Sequence, residues 1–360
     1  MELEFKKDFE SAKKNWDRFW AGTLDRPIIV TGAYKKGAEQ VPAPKWGAAF
    51  SEDIEKVVEQ SLKRAENYEF LVDAVPFFTP SLMVDLIPAL LGAEMISVKE
   101  AWGTDSHALP FIKDLESADI RFRKDSIWWE KWVKLCECIK RKCSGRMIMG
   151  SASPGYNNLD TLGALRGTTE LLMDLYDNPQ GVHSVMRKVM KAYNEIADEH
   201  CRIFGAEFKK YGCVTHHGFY SSGLIAVPQC DFGFNIGKEH FDEFALPYLK
   251  EEIDRLDVAE YHLDGPGNIP HTESVCSIEK IGVIQWVAGA GNEKKDWTPL
   301  YEKINSLDKG LLLWADSPEM AVSAWEKYGR PKRMILTVES KTKDDGMRYL
   351  EAFEKRKRPV

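Results

Sequence analysis

The sequence has no apolar run approaching the roughly 20 residues that a membrane-spanning helix needs. Its start, Met1-Glu-Leu-Glu-Phe-Lys-Lys7, is charged and lacks a signal-peptide core, so a cytoplasmic location is expected. Basic blocks are absent from the body of the chain. The only one is Lys355-Arg-Lys-Arg358, and the net charge is −7, which argues against nucleic-acid and membrane-surface partners. Paired Cys-x-x-Cys motifs are also missing. The seven cysteines (136, 138, 143, 201, 213, 230 and 276) are an odd number and read as reduced thiols rather than a disulfide framework or a zinc cluster. There is no P-loop, nucleophile elbow, kinase signature, internal repeat or low-complexity stretch. Gly289-Ala-Gly291 lacks the rest of a G-x-G-x-x-G spacing and reads as a plain loop.

What is present is a regular alternation. Short apolar, β-rich runs occur at 28–31, 70–75, 146–151, 213–218, 258–263, 283–287, 311–315 and 334–338. Amphipathic helical stretches lie between most of them, at 54–67, 160–177, 179–204, 238–255 and 318–328. Asp160 and Ser317 suit N-cap positions, and Pro318 suits a first helical turn. Eight strands alternating with helices predict parallel βα units closed into a single (β/α)8 TIM barrel spanning 1–360, of class α/β. The first 25 residues predict a helix packed outside it. Residues 76–145 are too long for one βα unit and predict an insertion after strand two. A hairpin near 95–98 and 120–122 and a helix around Trp128-Trp129 are expected within it.

In such a barrel the functional groups collect at the C-terminal ends of the strands. The most informative stretch is Glu260-Tyr-His-Leu-Asp-Gly-Pro-Gly267. His262 and Asp264 are two residues apart on a strand, so both point to the same face. They offer two ligands of a metal site or an acid/base pair. A catalytic divalent site needs a third protein ligand and an open position. Glu339, at the end of the last strand, is the expected third, because strands five and eight converge across a barrel mouth. A His/Asp/Glu set suits zinc, and equally iron or manganese. His216 and His217 point to opposite faces if extended, and His217, nearer the strand end, is an alternative ligand or a substrate contact. A polar mouth that holds no metal is the competing reading.

Several segments together resemble the uroporphyrinogen decarboxylase superfamily over roughly residues 60 to 355. They are Asn158-Leu-Asp-Thr-Leu-Gly-Ala-Leu-Arg-Gly-Thr-Thr-Glu-Leu-Leu172, Asn235-Ile-Gly-Lys-Glu-His-Phe-Asp-Glu-Phe-Ala-Leu-Pro-Tyr248, Tyr261-His-Leu-Asp-Gly265 and Ile284-Gln-Trp-Val287. True decarboxylases of this kind carry an arginine-rich loop near the first strand. Here that place reads Asp25-Arg-Pro-Ile-Ile-Val-Thr-Gly-Ala-Tyr-Lys-Lys36, without an Arg-x-x-Gly-Arg pattern. The methyltransferases of corrinoid systems bind zinc through a His-x-Cys on strand five and a Cys near the last strand. His262-x-Asp264 and Glu339 occupy those places, with carboxylates for thiols. The resemblance therefore implies a zinc-dependent methyltransferase. It would move a methyl group between a small methoxy- or methylamine-type donor and a corrinoid on a partner protein. Under that reading His217 or Asp231 supplies a proton, with Tyr156 also at the reacting groups. Trp102 and Trp286 wall the substrate pocket, and a homodimer is a further expectation. Two other classes compete. A cofactor-free decarboxylase of a small acid would place Arg166 in the pocket to bind the substrate, and a non-catalytic barrel would bind a small ligand without turnover.

Overall fold

The computed structural model describes residues 2–100, 103–329 and 333–356, without the side chains of 99, 100 and 103–105. The strands are β1 (Ile28–Tyr34), β2 (Tyr68–Val72), β3 (Phe77–Phe78), β4 (Glu94–Glu100), β5 (Gly103–Leu109), β6 (Ile148–Met149), β7 (Cys213–Val214), β8 (Tyr220–Ser221), β9 (Ile225–Ala226), β10 (Val258–Asp264), β11 (Ile281–Val287), β12 (Gly310–Trp314) and β13 (Met334–Thr337). Helices fill most of the intervals, which makes the chain mixed α/β. The central sheet has seven strands in the order β2-β1-β13-β12-β11-β10-β9. All its neighbours are parallel except β1 and β2.

Backbone hydrogen bonds tie the β3–β6 and β7–β8 pairs to each other and to β9. Ile148 donates to Pro76, Val214 to Gly150, and Ala152 to Ile225. Among the described residues no ladder joins β1 to β3. One apolar cluster nevertheless collects Ile28, Ile148, Val214, Val283, Leu312 and Ile335, which come from β1, β6, β7, β11, β12 and β13. Phe9, Trp16 and Phe19 of the helix Phe9–Trp20 belong to the same cluster, so this helix closes over one end of the strands. A second, larger cluster packs the other strand faces against the surrounding helices.

Local chemistry accounts for the helix ends. Asp53, Ser126 and Ser317 each accept a backbone N–H of the first turn that follows. The expected helix 160–177 is instead two, Asn158–Arg166 and Thr168–Asp177, because Gly167 takes a φ of 99° between them. Asp160 is thus inside a first turn rather than a cap. The long helix Pro179–Tyr211 runs past residue 204 and stops at Gly212, whose φ is 82°.

Two further expectations, on the strands, are corrected. The run 70–75 is not one parallel strand. Residues 68–72 pair antiparallel to β1, the chain turns at Val72 (φ 53°), and Phe77–Phe78 then pairs parallel with β6. Val72 is β-branched and pays strain at positive φ, and the turn is held from outside. Lys6 donates to the carbonyls of Phe70 and Val72. Asp73, fully buried, binds Arg26 and the Ile29 N–H. The insertion does contain a hairpin, but Glu94–Glu100 pairs with Gly103–Leu109 and not with 120–122. The polar partner strand carries no apolar run to reveal it. No helix among the described residues is long and apolar enough to cross a membrane.

Candidate metal centre

From Glu260 onward, strand β10 alternates between two faces. Tyr261 and Leu263 are buried in the larger core, and Glu260, His262 and Asp264 take the opposite face. The parallel register with β11 sets Gln285 beside His262. The Gln285 amide oxygen accepts from His262 Nδ1. That pairing assigns the ring proton to Nδ1 and leaves Nε2 as the free nitrogen.

A 3-10 turn, Asp231–Asn235, brings in the third group. Gln229 bridges His262 in parallel fashion, and His262 N–H donates to Pro228, so the segment leading into the turn lies along β10. Asp160 steadies the turn by accepting the N–H groups of Asp231 and Phe232 at 3.0 and 2.8 Å. Asp231, His262 and Asp264 then present ligand atoms that all lie within 4.8 Å of one another. Gln229 Nε2 donates to Asp231 Oδ2 at 2.7 Å, whereas Asp231 Oδ1 is buried with no protein partner. An imidazole nitrogen and two carboxylates, one with an orphaned oxygen, form a set that fits zinc, iron or manganese.

The surroundings are acidic. A cavity of about 450 Å³ is lined by Tyr156, Asp160, Gln229, Asp231 and Phe232, with Asp85 and His107 further out, and no lysine or arginine is among its lining residues. Burial, and then the charge of Asp264, raises the Asp231 carboxyl to about 7. Burial, and then the charge of Asp231, does the same for Asp160. Burial thus favours the neutral form of both carboxyls. The Tyr156 phenol is pushed far up by burial and by the charges of Asp231, Glu260 and Asp160.

A second pairing lies beside the first. His217 Nδ1 and Glu260 Oε1 are 2.7 Å apart, with Glu260 fully buried and the His217 side chain 27% exposed. Burial presses the His217 pKa down, the Glu260 charge raises it, and the net shift is upward. The neighbouring His216 ring, 4.0 Å away, is driven well down by burial and by the charges of His217 and His262.

The expected site residues are thus only partly brought together. His262 and Asp264 converge as expected. Asp231, expected as a proton donor, is the third member of the cluster. Glu339 is exposed beyond β13 and does not join the cluster, because the chain has already left the sheet at Thr337 and its charge is felt instead by Tyr68. Arg166 is corrected too. It binds Asp174 and the carbonyls of Ile112 and Lys113, and it is not among the cavity's lining residues. Trp286 is adjacent to Gln285 on β11 and so points to the other face, where it packs on Trp297 at 4.9 Å in the core. Trp102 lies outside the described residues. Glu260 and Gln285 have no site role in the sequence reading. The alternation Glu260-x-His262-x-Asp264 was a signal for the first, and the adjacent strand's register, legible only in three dimensions, supplies the second. Comparison with protein-family models gives no match, and comparison with curated proteins gives none either.

Proposed function

We propose that the chain is a closed (β/α)8 barrel of the uroporphyrinogen decarboxylase-like type and a cation-dependent methyltransferase. The barrel closure is supported by the apolar cluster shared by β1, β6, β7, β11, β12 and β13. The cation dependence is carried by one observation, the convergence of Asp231, His262 and Asp264. The methyl-transfer chemistry comes from the resemblance in sequence, with a methoxy- or methylamine-type donor and a corrinoid on a partner protein as acceptor.

His262 through Nε2, Asp231 and Asp264 would hold the ion, with zinc the first choice. When bound there, a divalent ion supplies Lewis acidity to the leaving oxygen or nitrogen of the donor. The chain's own groups do the rest. Tyr156 and Phe232 wall the cavity that receives the donor. Gln285 orients His262, Gln229 orients Asp231, and Asp160 fixes the turn that carries Asp231. His217, paired with Glu260 two residues before His262 on β10, supplies the proton. The competing decarboxylase reading needs cations to bind a carboxylate, and the cavity lining offers acids with no lysine or arginine.

The test combines zinc titration with a methyl-transfer assay. The wild-type chain should bind one zinc ion, and His262→Ala and Asp264→Ala should each lose it. With reduced free corrinoid as acceptor, a panel of methoxyarenes and methylamines should give a methylated product only with zinc-loaded wild type. Equal zinc binding by wild type and His262→Ala would remove the centre. Zinc binding without transfer from any donor would remove the methyltransferase assignment.

A further inference from the structure

We propose that Glu260 is the positioning residue of this reaction, holding the His217 imidazole by Nδ1 so that Nε2 is left to give a proton to the donor's leaving atom. The inference rests on the methyl-transfer reading and adds to it a residue and a division of labour. Asp231 belongs to the cation's shell, so the proton falls to His217.

The geometry is specific. Glu260 is fully buried and pairs in register with Val283, a member of the apolar cluster at the end of the strands closed by the N-terminal helix. A carboxylate at that level is costly, and an apolar side chain would pack there more easily. One of its oxygens binds His217 Nδ1 at 2.7 Å, and the other is buried with no protein partner. The ring also packs against His216 and Phe219 in tilted contacts, at 4.0 and 5.8 Å between centroids. A buried acid that grips one ring nitrogen, on a ring still 27% exposed, leaves the other nitrogen as the exchanging atom. The arrangement parallels that of His262, which Gln285 grips by the same nitrogen. The two grips differ in charge. The neutral amide leaves His262 free to ligate, whereas the carboxylate favours a protonated His217. Among the described residues, Glu260 and His216 are the titratable groups against the His217 ring, and burial with its neighbours' charges disfavours the protonated form of His216.

The step balances as follows for a methoxy donor. The acceptor's electron pair forms the new bond to the methyl carbon. The methyl–oxygen bond breaks, and its pair stays on oxygen. His217 Nε2–H passes its proton to that oxygen, giving the alcohol and a neutral imidazole whose Nδ1–H remains on Glu260.

The experiment uses the full chain with ¹⁵N-labelled histidine, loaded with zinc, and the variants Glu260→Ala, Glu260→Gln and His217→Gln. The His217 signals, identified by their loss in His217→Gln, should show a proton on Nδ1 in wild type and in Glu260→Gln, and a shift toward Nε2–H in Glu260→Ala. Zinc affinity should stay within about twofold in all three, because none removes a ligand or the hydrogen-bond partner of one. With the donor that wild type turns over, kcat should fall about 100-fold in Glu260→Ala at unchanged KM, with part of the loss recovered in Glu260→Gln. The alkaline limb of the Glu260→Gln profile should move about one pH unit lower, as its carboxylate charge is gone. An unprotonated Nδ1 in wild type overturns the proposal, as does a folded, zinc-binding Glu260→Ala with wild-type kcat. Should Glu260→Ala not fold, the Glu260→Gln profile decides, and an unmoved limb refutes. Failure of wild type to transfer methyl from any donor refutes the reaction, while the ring-proton signals still decide whether Glu260 orders His217.

Discussion

Replacing Gln285 with leucine should weaken zinc binding by about 10- to 100-fold, or about 1.4 to 2.8 kcal/mol. The reasoning starts from β10 and β11, whose parallel register puts the Gln285 amide oxygen on His262 Nδ1. Leucine has a similar volume, so the buried site stays filled while the acceptor is lost. Nδ1 is then unsatisfied, the ring can rotate, and Nε2 no longer has to be the free nitrogen. Gln285→Glu is the converse change. A carboxylate at Nδ1 raises the basicity of the imidazole, so zinc should bind at least as tightly as in wild type. The assay is competition with a zinc-chelating dye at fixed neutral pH, with thermal midpoints recorded to exclude unfolding. Wild-type affinity in a folded Gln285→Leu, with affinity lost in His262→Ala, would show that something other than Gln285 orients the ring. That result would refute the reasoning.

The third ligand group is tested by a pair of variants. Asp231→Asn should lower zinc affinity at least about tenfold, and Glu339→Gln should leave it unchanged in the same titration. Glu252 is buried and raised from 4.5 to about 8, chiefly by burial. Because the unfolded chain gives up this proton first, stability is fullest below about 4.5 and declines as pH rises through about 8, by about 5 kcal/mol in total. Glu252→Gln should therefore flatten the stability–pH curve in denaturant melts and be the more stable protein at the alkaline end. Trp286→Ala should cost about 3–5 kcal/mol in the same melts as a core cavity. It should not change zinc affinity, which separates packing from a role at the centre.

What was legible in the sequence was whatever repeats along one strand. The runs at 258–263, 283–287, 311–315 and 334–338 each match an observed strand to within about two residues, because burial on both faces makes a short β-rich apolar run. The pair His262 and Asp264 followed from alternation alone. Direction was not legible. Residues 68–72 have the same alternation whichever way they run, and their antiparallel course depends on the turn at Val72 and on Lys6, Arg26 and Asp73. Nor was the third ligand. Glu339 is the group that strand ends meeting in a barrel suggest, whereas Asp231 sits in a short 3-10 turn with no periodic signal. Its place is set by Asp160, some 70 residues away, and by the bridge from Gln229 to His262.

The same registers explain why so much chemistry sits on so few residues. Glu260, His262 and Asp264 lie beside Val283, Gln285 and Val287 on β11, rising from the apolar end of the sheet to the cation group. A slip of one residue would turn Gln285 away from His262 and bring Trp286 to the site. The register contains an irregularity just before this point, where Ala259 faces Ile281 but Glu260 already faces Val283. The residue passed over is Gly282. A side chain there would strike the Trp20 ring at 2.7 Å, and Trp20 is itself fixed by a hydrogen bond to the Tyr220 carbonyl. The N-terminal helix can therefore approach β11 closely only at a glycine, and the extra residue shifts the ladder so that Gln285 meets His262. Irregularities of this kind re-aim side chains beside functional sites. In this chain the packing of a helix outside the strands and the orientation of the candidate ligand depend on the same residue.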